Sequence, residues 1–256
     1  MKLSIMNTLF RIPKLLTLAF IVFFTHNTLA QSTTGMSGLV KAPNARMYEQ
    51  GTLAIGASLI PPGYHKRTYG QLKGKLVGNA GLNTFVTATL FPFMEVMFRY
   101  SHELNLEVTP ETGYFPDRMM AARFKLLNEK EKWPAIVAGF HDVTGAVGFD
   151  QGGSPNFSST YLVGSKLFHY KNFQIDASLG YGFAFRGVPA KDFDGMFAGV
   201  AITTPYVKDA QFLLDYDATY INLGIQKYFL KRIHTMVNFY PNYKKFGWVI
   251  AYRYPL

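Results

Sequence analysis

Residues 172–186, NFQIDASLGYGFAFR, constrain the fold of this chain more than any other stretch. Every second residue is apolar: Phe173, Ile175, Ala177, Leu179, Tyr181, Phe183 and Phe185. Between them stand Gln174, Asp176, Ser178, Gly180, Gly182, Ala184 and Arg186. Neighbours in a strand point to opposite faces, so one face is wholly apolar and the other polar or small. The run outlasts the about 5–6 residues of a common soluble strand. Its apolar face carries rings toward both ends with aliphatics between, as on a strand that crosses a lipid bilayer.

The same alternation returns along residues 51–256. Leu53, Ile55, Ala57 and Leu59 open it, and further runs follow over 80–90, 94–100, 118–128, 133–143, 159–168, 195–203, 212–217, 220–228, 233–240 and 246–256. In the run 159–168, Tyr161, Val163, Ser165 and Leu167 are expected outside, and Gly164 and Lys166 inside. Together these predict an all-β fold, an antiparallel transmembrane β-barrel of about 12 strands, an even number as in single-chain bacterial barrels. Connections from odd to even strands are mostly long, and those from even to odd are short. Barrels of bacterial outer membranes show this asymmetry, with tight turns on the periplasmic side. A soluble β-sandwich also alternates, but it leaves edge strands to protect that closure removes.

The first 30 residues read as a signal peptide. Lys2, Arg11 and Lys14 precede the apolar run 15–24, and Thr28-Leu29-Ala30 offers small residues for cleavage before Gln31. Residues 31–50 are rich in turn formers and are expected as a periplasmic lead-in segment. The formal charge of +10 falls by three to +7 without the signal, and the remaining cations are scattered with no nucleic-acid motif. The chain has no cysteine, which argues against a small disulfide-stapled domain and excludes a lipid-anchored one.

Two stretches carry a family resemblance. Residues 34–40, TGMSGLV, then Pro43-Asn44-Ala45 and Gly51-Thr52-Leu53, resemble the opening of the YjbH family of exopolysaccharide-biosynthesis barrel proteins of bacterial outer membranes. Residues 123–127 (RFKLL), 134–139 (PAIVAG) and 161–166 (YLVGSK) continue that likeness. The resemblance implies an outer-membrane protein taking part in exopolysaccharide or capsule production or export. Its implied partners are membrane lipid, exopolysaccharide and periplasmic export proteins. Separately, residues 245–252, KFGWVIAY, resemble the last-strand signal read by the barrel-assembly machinery.

The polar positions of the alternation predict a lumen lined by Glu95, Arg99, Arg123, Lys125, Lys166, Asp176, Arg186, Asp215, Asp217, Gln226 and Arg253. These are either glycan contacts or internal ion pairs that fill a narrow barrel. A small barrel enzyme hydrolysing lipid A or phospholipid is the alternative, with Ser101-His102-Glu103 and His141-Asp142 as its candidates. Adjacent strand residues face opposite ways, so Ser101 and His102 cannot pair as nucleophile and base. The histidines lack metal-ligand spacing and no cofactor fingerprint is present, so neither a metal nor a cofactor is expected.

Overall fold

The structure, a computed structural model, describes residues 29–62, 71–72, 75–76, 79–105, 116–143, 157–184 and 192–256. The strands are β1 (Thr52–Ile60), β2 (Gln71–Leu72), β3 (Lys75–Leu76), β4 (Gly81–Phe91), β5 (Met94–Glu103), β6 (Asp117–Leu127) and β7 (Ala135–His141). They continue as β8 (Ser159–Tyr170), β9 (Phe173–Ala184), β10 (Gly195–Thr203), β11 (Ala210–Tyr216), β12 (Ile221–Phe229), β13 (Ile233–Tyr240) and β14 (Lys245–Pro255). β2 and β3 form a separate hairpin. The other twelve strands pair with their sequence neighbours into a closed antiparallel barrel, sealed by β1 against β14. That seam runs in unbroken register from Thr52 opposite Pro255 to Leu59 opposite Trp248.

The cleanest alternation of the chain lies in β9, and its side chains are placed as that alternation requires. Leu179, Tyr181 and Phe183 are exposed on the outer wall, while Ser178, Gly180 and Gly182 are buried on the inner one. The same division runs around the barrel, with Phe98 and Met120 or Ile225 and Ile250 outside and Asn83, Met97, Asn222 and His234 inside. At one rim the connections are residues 92–93, 128–134, 171–172, 204–209 and 230–232, and here β1 also begins and β14 ends. The opposite rim carries the longer connections, such as 61–80, 104–116 and 142–158.

Strand β8 departs from expectation in which way it faces. Tyr161, Val163 and Ser165 point inward, buried, and Leu162 and Phe168 point out. The Tyr161 ring lies over Gly139 of β7, where even a Cβ would come within 2.0 Å of it, and packs edge-on against Phe193 and Phe197. Aromatic and aliphatic residues on the inside mislead an alternation argument because it assumes that apolar means lipid-facing. Here they meet protein.

What they meet is the segment before β1. Most of the expected periplasmic lead-in, residues 31–50, lies in a hairpin-like insertion, residues 29–48, folded inside the barrel. Isolated bridges join Gln31 to Ser37 and Gly38 to Pro43, and Leu39, Val40, Ala42 and Ala45 are at most 1% exposed. Met36, Leu39 and Val40 share one apolar cluster with Phe85, Met97, Met119 and Met236 of the wall. Ala42, Ala45 and Met47 share another with Tyr161, Val163 and Phe197. The barrel's core is therefore the contact between its own wall and this plug.

Candidate functional site

The plug follows from the small residues of its sequence. Gly35 adopts φ +98, a left-handed conformation that glycine takes without penalty, and a Cβ there would stand 2.8 Å from Phe85. The tip then lays Leu39 against Gly199 of β10, where a Cβ would be 2.5 Å from the leucine. An empty wall position and a bulky plug residue thus interlock, as close-packed interiors require.

Charge clasps hold the tip. Lys41 Nζ lies 2.8 Å from Asp192 and 3.0 Å from Asp217, and the backbone N–H groups of Lys41 and Ala42 donate to Asp215 at 2.8 and 3.1 Å. Asn222 also donates to Asp215, at 2.7 Å. Burial opposes the lysine's charge, but Asp192 and Asp217 more than offset that and raise its pKa above the ordinary value. Burial likewise opposes the Asp192 carboxylate, yet Lys41 and His141 hold its pKa well below the usual range. Charged forms in so dry a place persist only when paired.

A second clasp sits at mid-plug. Arg123 Nε is 3.0 Å from Glu95 Oε1, both side chains fully buried. Arg123 also donates to the Asn44 carbonyl at 3.0 Å and to Ser37 Oγ and the Arg46 carbonyl. Ser37 donates to Glu95 through its backbone N–H at 3.1 Å and through its hydroxyl at 2.7 Å. Across the lumen, the Ala45 N–H donates to Ser165 Oγ at 2.7 Å. Wall and plug thereby satisfy each other's buried polar groups.

Toward the short-turn rim the plug leaves a vestibule of about 620 Å³. On one side Arg46 bridges Asp176 and Glu129, each at 2.6 Å. Burial would raise the Glu129 pKa, but the Leu167 N–H and the Arg46 guanidinium outweigh it and lower the value. On the other side the Arg253 guanidinium lies 4.1 Å from the centre of the Tyr228 ring and 5.1 Å from that of Tyr48. Lys125, Asn128, Gln174, Thr203 and Gln211 add to the polar lining, as do Glu49, Asp209, Lys231 and Arg232.

The predicted lumen residues fall into distinct groups. Glu95, Arg99, Arg123, Asp215, Asp217 and Gln226 are buried inside, and all but Gln226 bond the plug directly, Arg99 through the Thr34 carbonyl at 3.4 Å. Asp217 reaches the plug through Lys41, and Gln226 meets His234 at 2.7 Å. Lys125, Asp176 and Arg253 line the vestibule. Lys166 does not face the lumen. It follows the outer parity of β8, and its Nζ donates to the Lys130 and Glu131 carbonyls beside Glu129. Arg186 lies outside the described residues. Of the rim candidates, Ser101 and Glu103 are buried within while His102 takes the outer parity, and His141 Nε2 is 3.3 Å from Asp192.

Sequence reasoning missed Ser37, Lys41, Asn44 and Arg46. The available signal was a lone lysine in an otherwise small and apolar stretch, GLVKAPNA. A strand-based account had no place for it.

The YjbH family model, described as "Exopolysaccharide biosynthesis protein YbjH", matches residues 30–204. A search of curated proteins found no match. The matched span begins with the plug and runs through the strands that hold both Arg123–Glu95 and the Arg46 bridge, and over this majority of its length the chain belongs to the YjbH exopolysaccharide-biosynthesis family.

Proposed function

We propose that this protein is a non-enzymatic barrel of the bacterial outer membrane that takes part in exopolysaccharide or capsule production or export. In this reading residues 1–30 are removed as a signal peptide and the barrel-assembly machinery inserts the mature chain. The N-terminal segment then closes the lumen at rest.

The outer wall supports a lipid environment. Large apolar side chains on every side of the barrel stand 40–60% exposed, among them Leu162, Leu179, Phe98 and Ile225. Soluble monomers rarely present apolar patches beyond a few hundred Å². Rings collect at both rims, with Tyr181 and Trp248 toward one and Phe168, Tyr170 and Tyr254 toward the other, as in the aromatic girdles of membrane barrels. The observation that carries the functional reading is the plug, because the TGMSGL and PNA stretches that bear the family likeness are the residues clasped inside the wall. The short-turn rim is the periplasmic one, and there export proteins meet the vestibule.

An in-frame deletion of the gene tests this reading, with secreted exopolysaccharide measured and wild type restored in trans. Output is expected to fall and to recover on complementation, with the protein banding in the outer-membrane fraction. Unchanged output, or a chain that fractionates as a soluble monomer, overturns it. Release of fatty acid from outer-membrane lipid by the purified protein would overturn the non-enzymatic part alone.

A further inference from the structure

We infer that the vestibule at the short-turn rim is a binding site for an anionic oligosaccharide, with Lys125 and Arg253 as the residues that take its acidic groups. This deepens the proposed function and rests on it for the choice of a glycan.

Some charges of the lining are already committed. Arg46, Asp176, Glu129 and the outward Lys166 form one interlinked group of two cations and two carboxylates, closed at 2.6 to 3.3 Å. Its net charge is zero, and it shapes the wall without leaving charge for a ligand. Lys125 and Arg253 differ. Neither has a carboxylate within ion-pair distance among the described residues, yet both line the same cavity.

Arg253 is also held in advance. Its guanidinium lies against Tyr228 and Tyr48, and among the described residues its side chain makes one hydrogen bond, to the Lys231 carbonyl at 3.3 Å. Tyr48 is fixed in turn by donating to Gln31 Oε1 at 2.6 Å. A planar guanidinium pinned by stacking, with most of its N–H groups unused, is suited to a carboxylate or phosphate. The ordering that a flexible side chain would undergo on binding is already done.

The rest of the lining selects a sugar over a simple anion. Gln174 and Asn128 present amides, which match ring hydroxyls, beside Gln211 and Thr203, which bond each other at 2.9 Å. A cavity of about 620 Å³ lies within the roughly 300–1,000 Å³ usual for ligand sites, so it holds a few sugar units rather than one ion. An acidic peptide of a partner protein is the competing occupant, and the amides set beside the cations favour the saccharide.

The test is calorimetric titration of the full mature chain in detergent. The probes are a short oligogalacturonate, a malto-oligosaccharide of equal length and a poly-glutamate peptide of matched charge. Saturable binding of the oligogalacturonate alone is expected, falling with salt. Lys125→Ala and Arg253→Gln should each weaken it about tenfold, the factor that corresponds to about 1.4 kcal/mol. Lys171→Ser, on an exposed turn of the same rim outside the cavity, should bind as wild type. Retained heat-modifiable migration on gels shows that each variant is folded, and Lys125→Ala stands alone if Arg253→Gln does not fold. No binding, equal binding of the neutral sugar, preference for the peptide, or unaffected variants overturns the site. If binding fails while the gene deletion still lowers exopolysaccharide output, the site is wrong and the proposed function stands. If the deletion has no effect, the function itself fails.

Discussion

The two ends of the plug are held by the same kinds of side chain in opposite surroundings. At its tip and middle, Lys41, Asp192, Asp217, Arg123 and Glu95 are at most 7% exposed in their side chains. At its base, Arg46, Asp176 and Glu129 are 15–21% exposed and face the vestibule. Buried pairs are strongly destabilised when one partner is removed, because a lone charge remains out of water. Pairs in reach of solvent contribute little. The clasps deep in the lumen therefore set how firmly the barrel is closed, and the bridge at its mouth sets the shape of a site.

Variants at the deep clasps should show the largest effects. Arg123→Met leaves Glu95 buried without a cation and strips two plug carbonyls of a donor, so a loss of about 3–5 kcal/mol in stability is expected, measured by urea unfolding in detergent. The double variant Arg123→Met with Glu95→Leu should recover much of that loss. If the single variant matches wild type, the contrast between the two ends is wrong. Lys41→Met leaves two carboxylates facing each other at the tip. It should convert a closed barrel in planar bilayers into one with frequent openings, and silence would show that the tip clasp does not hold the plug.

Packing between plug and wall gives the next largest effect. In Gly199→Ala the new methyl would meet Leu39 at 2.5 Å and the Leu214 carbonyl at 2.6 Å, and overpacking of this kind costs about 1–3 kcal/mol. Leu39→Ala in the same chain should relieve part of it. Additive losses would mean that the two residues do not interlock.

The two partners of the tip clasp respond to pH with opposite sign. Asp192 has a lowered pKa in the folded chain, so its stabilisation is present above the ordinary aspartate value and is lost as pH falls through the lowered one. Lys41 has a raised pKa, so its contribution is complete below the ordinary lysine value of about 10.4 and is lost only in strong alkali. Limited proteolysis within residues 31–48 should be constant across neutral pH and rise only below about pH 4. Sensitivity beginning at pH 6 would contradict the clasp. The smallest effect is expected at the mouth, where Glu129→Gln should change stability by about 0–1 kcal/mol.

Much of this architecture was legible in the sequence. The twelve barrel strands follow from alternation, because a closed wall with one face outward and the other toward the lumen writes a period of two into every stave. Burial of Glu95, Arg123 and Asp215 follows from the same rule. The rule failed where the inside is apolar. Tyr161 and Val163 pack on Ala42 and Ala45, so β8 read as facing the wrong way and Lys166 with it. The plug was illegible for a related reason, since residues 31–50 have neither period and owe their shape to partners far along the chain, such as Asp215 and Ser165.

One consequence of the seam between β1 and β14 concerns the order of events during assembly. The stopper precedes the staves along the chain and the sealing stave is the last of them, so Trp248–Pro255 can dock on Thr52–Leu59 only around a stopper already seated or still free to enter. Because the stopper runs directly into the first stave at the short-turn rim, it stays leashed there. Any displacement of the stopper must then be a swing on a short tether rather than an ejection, and it is reversible by construction.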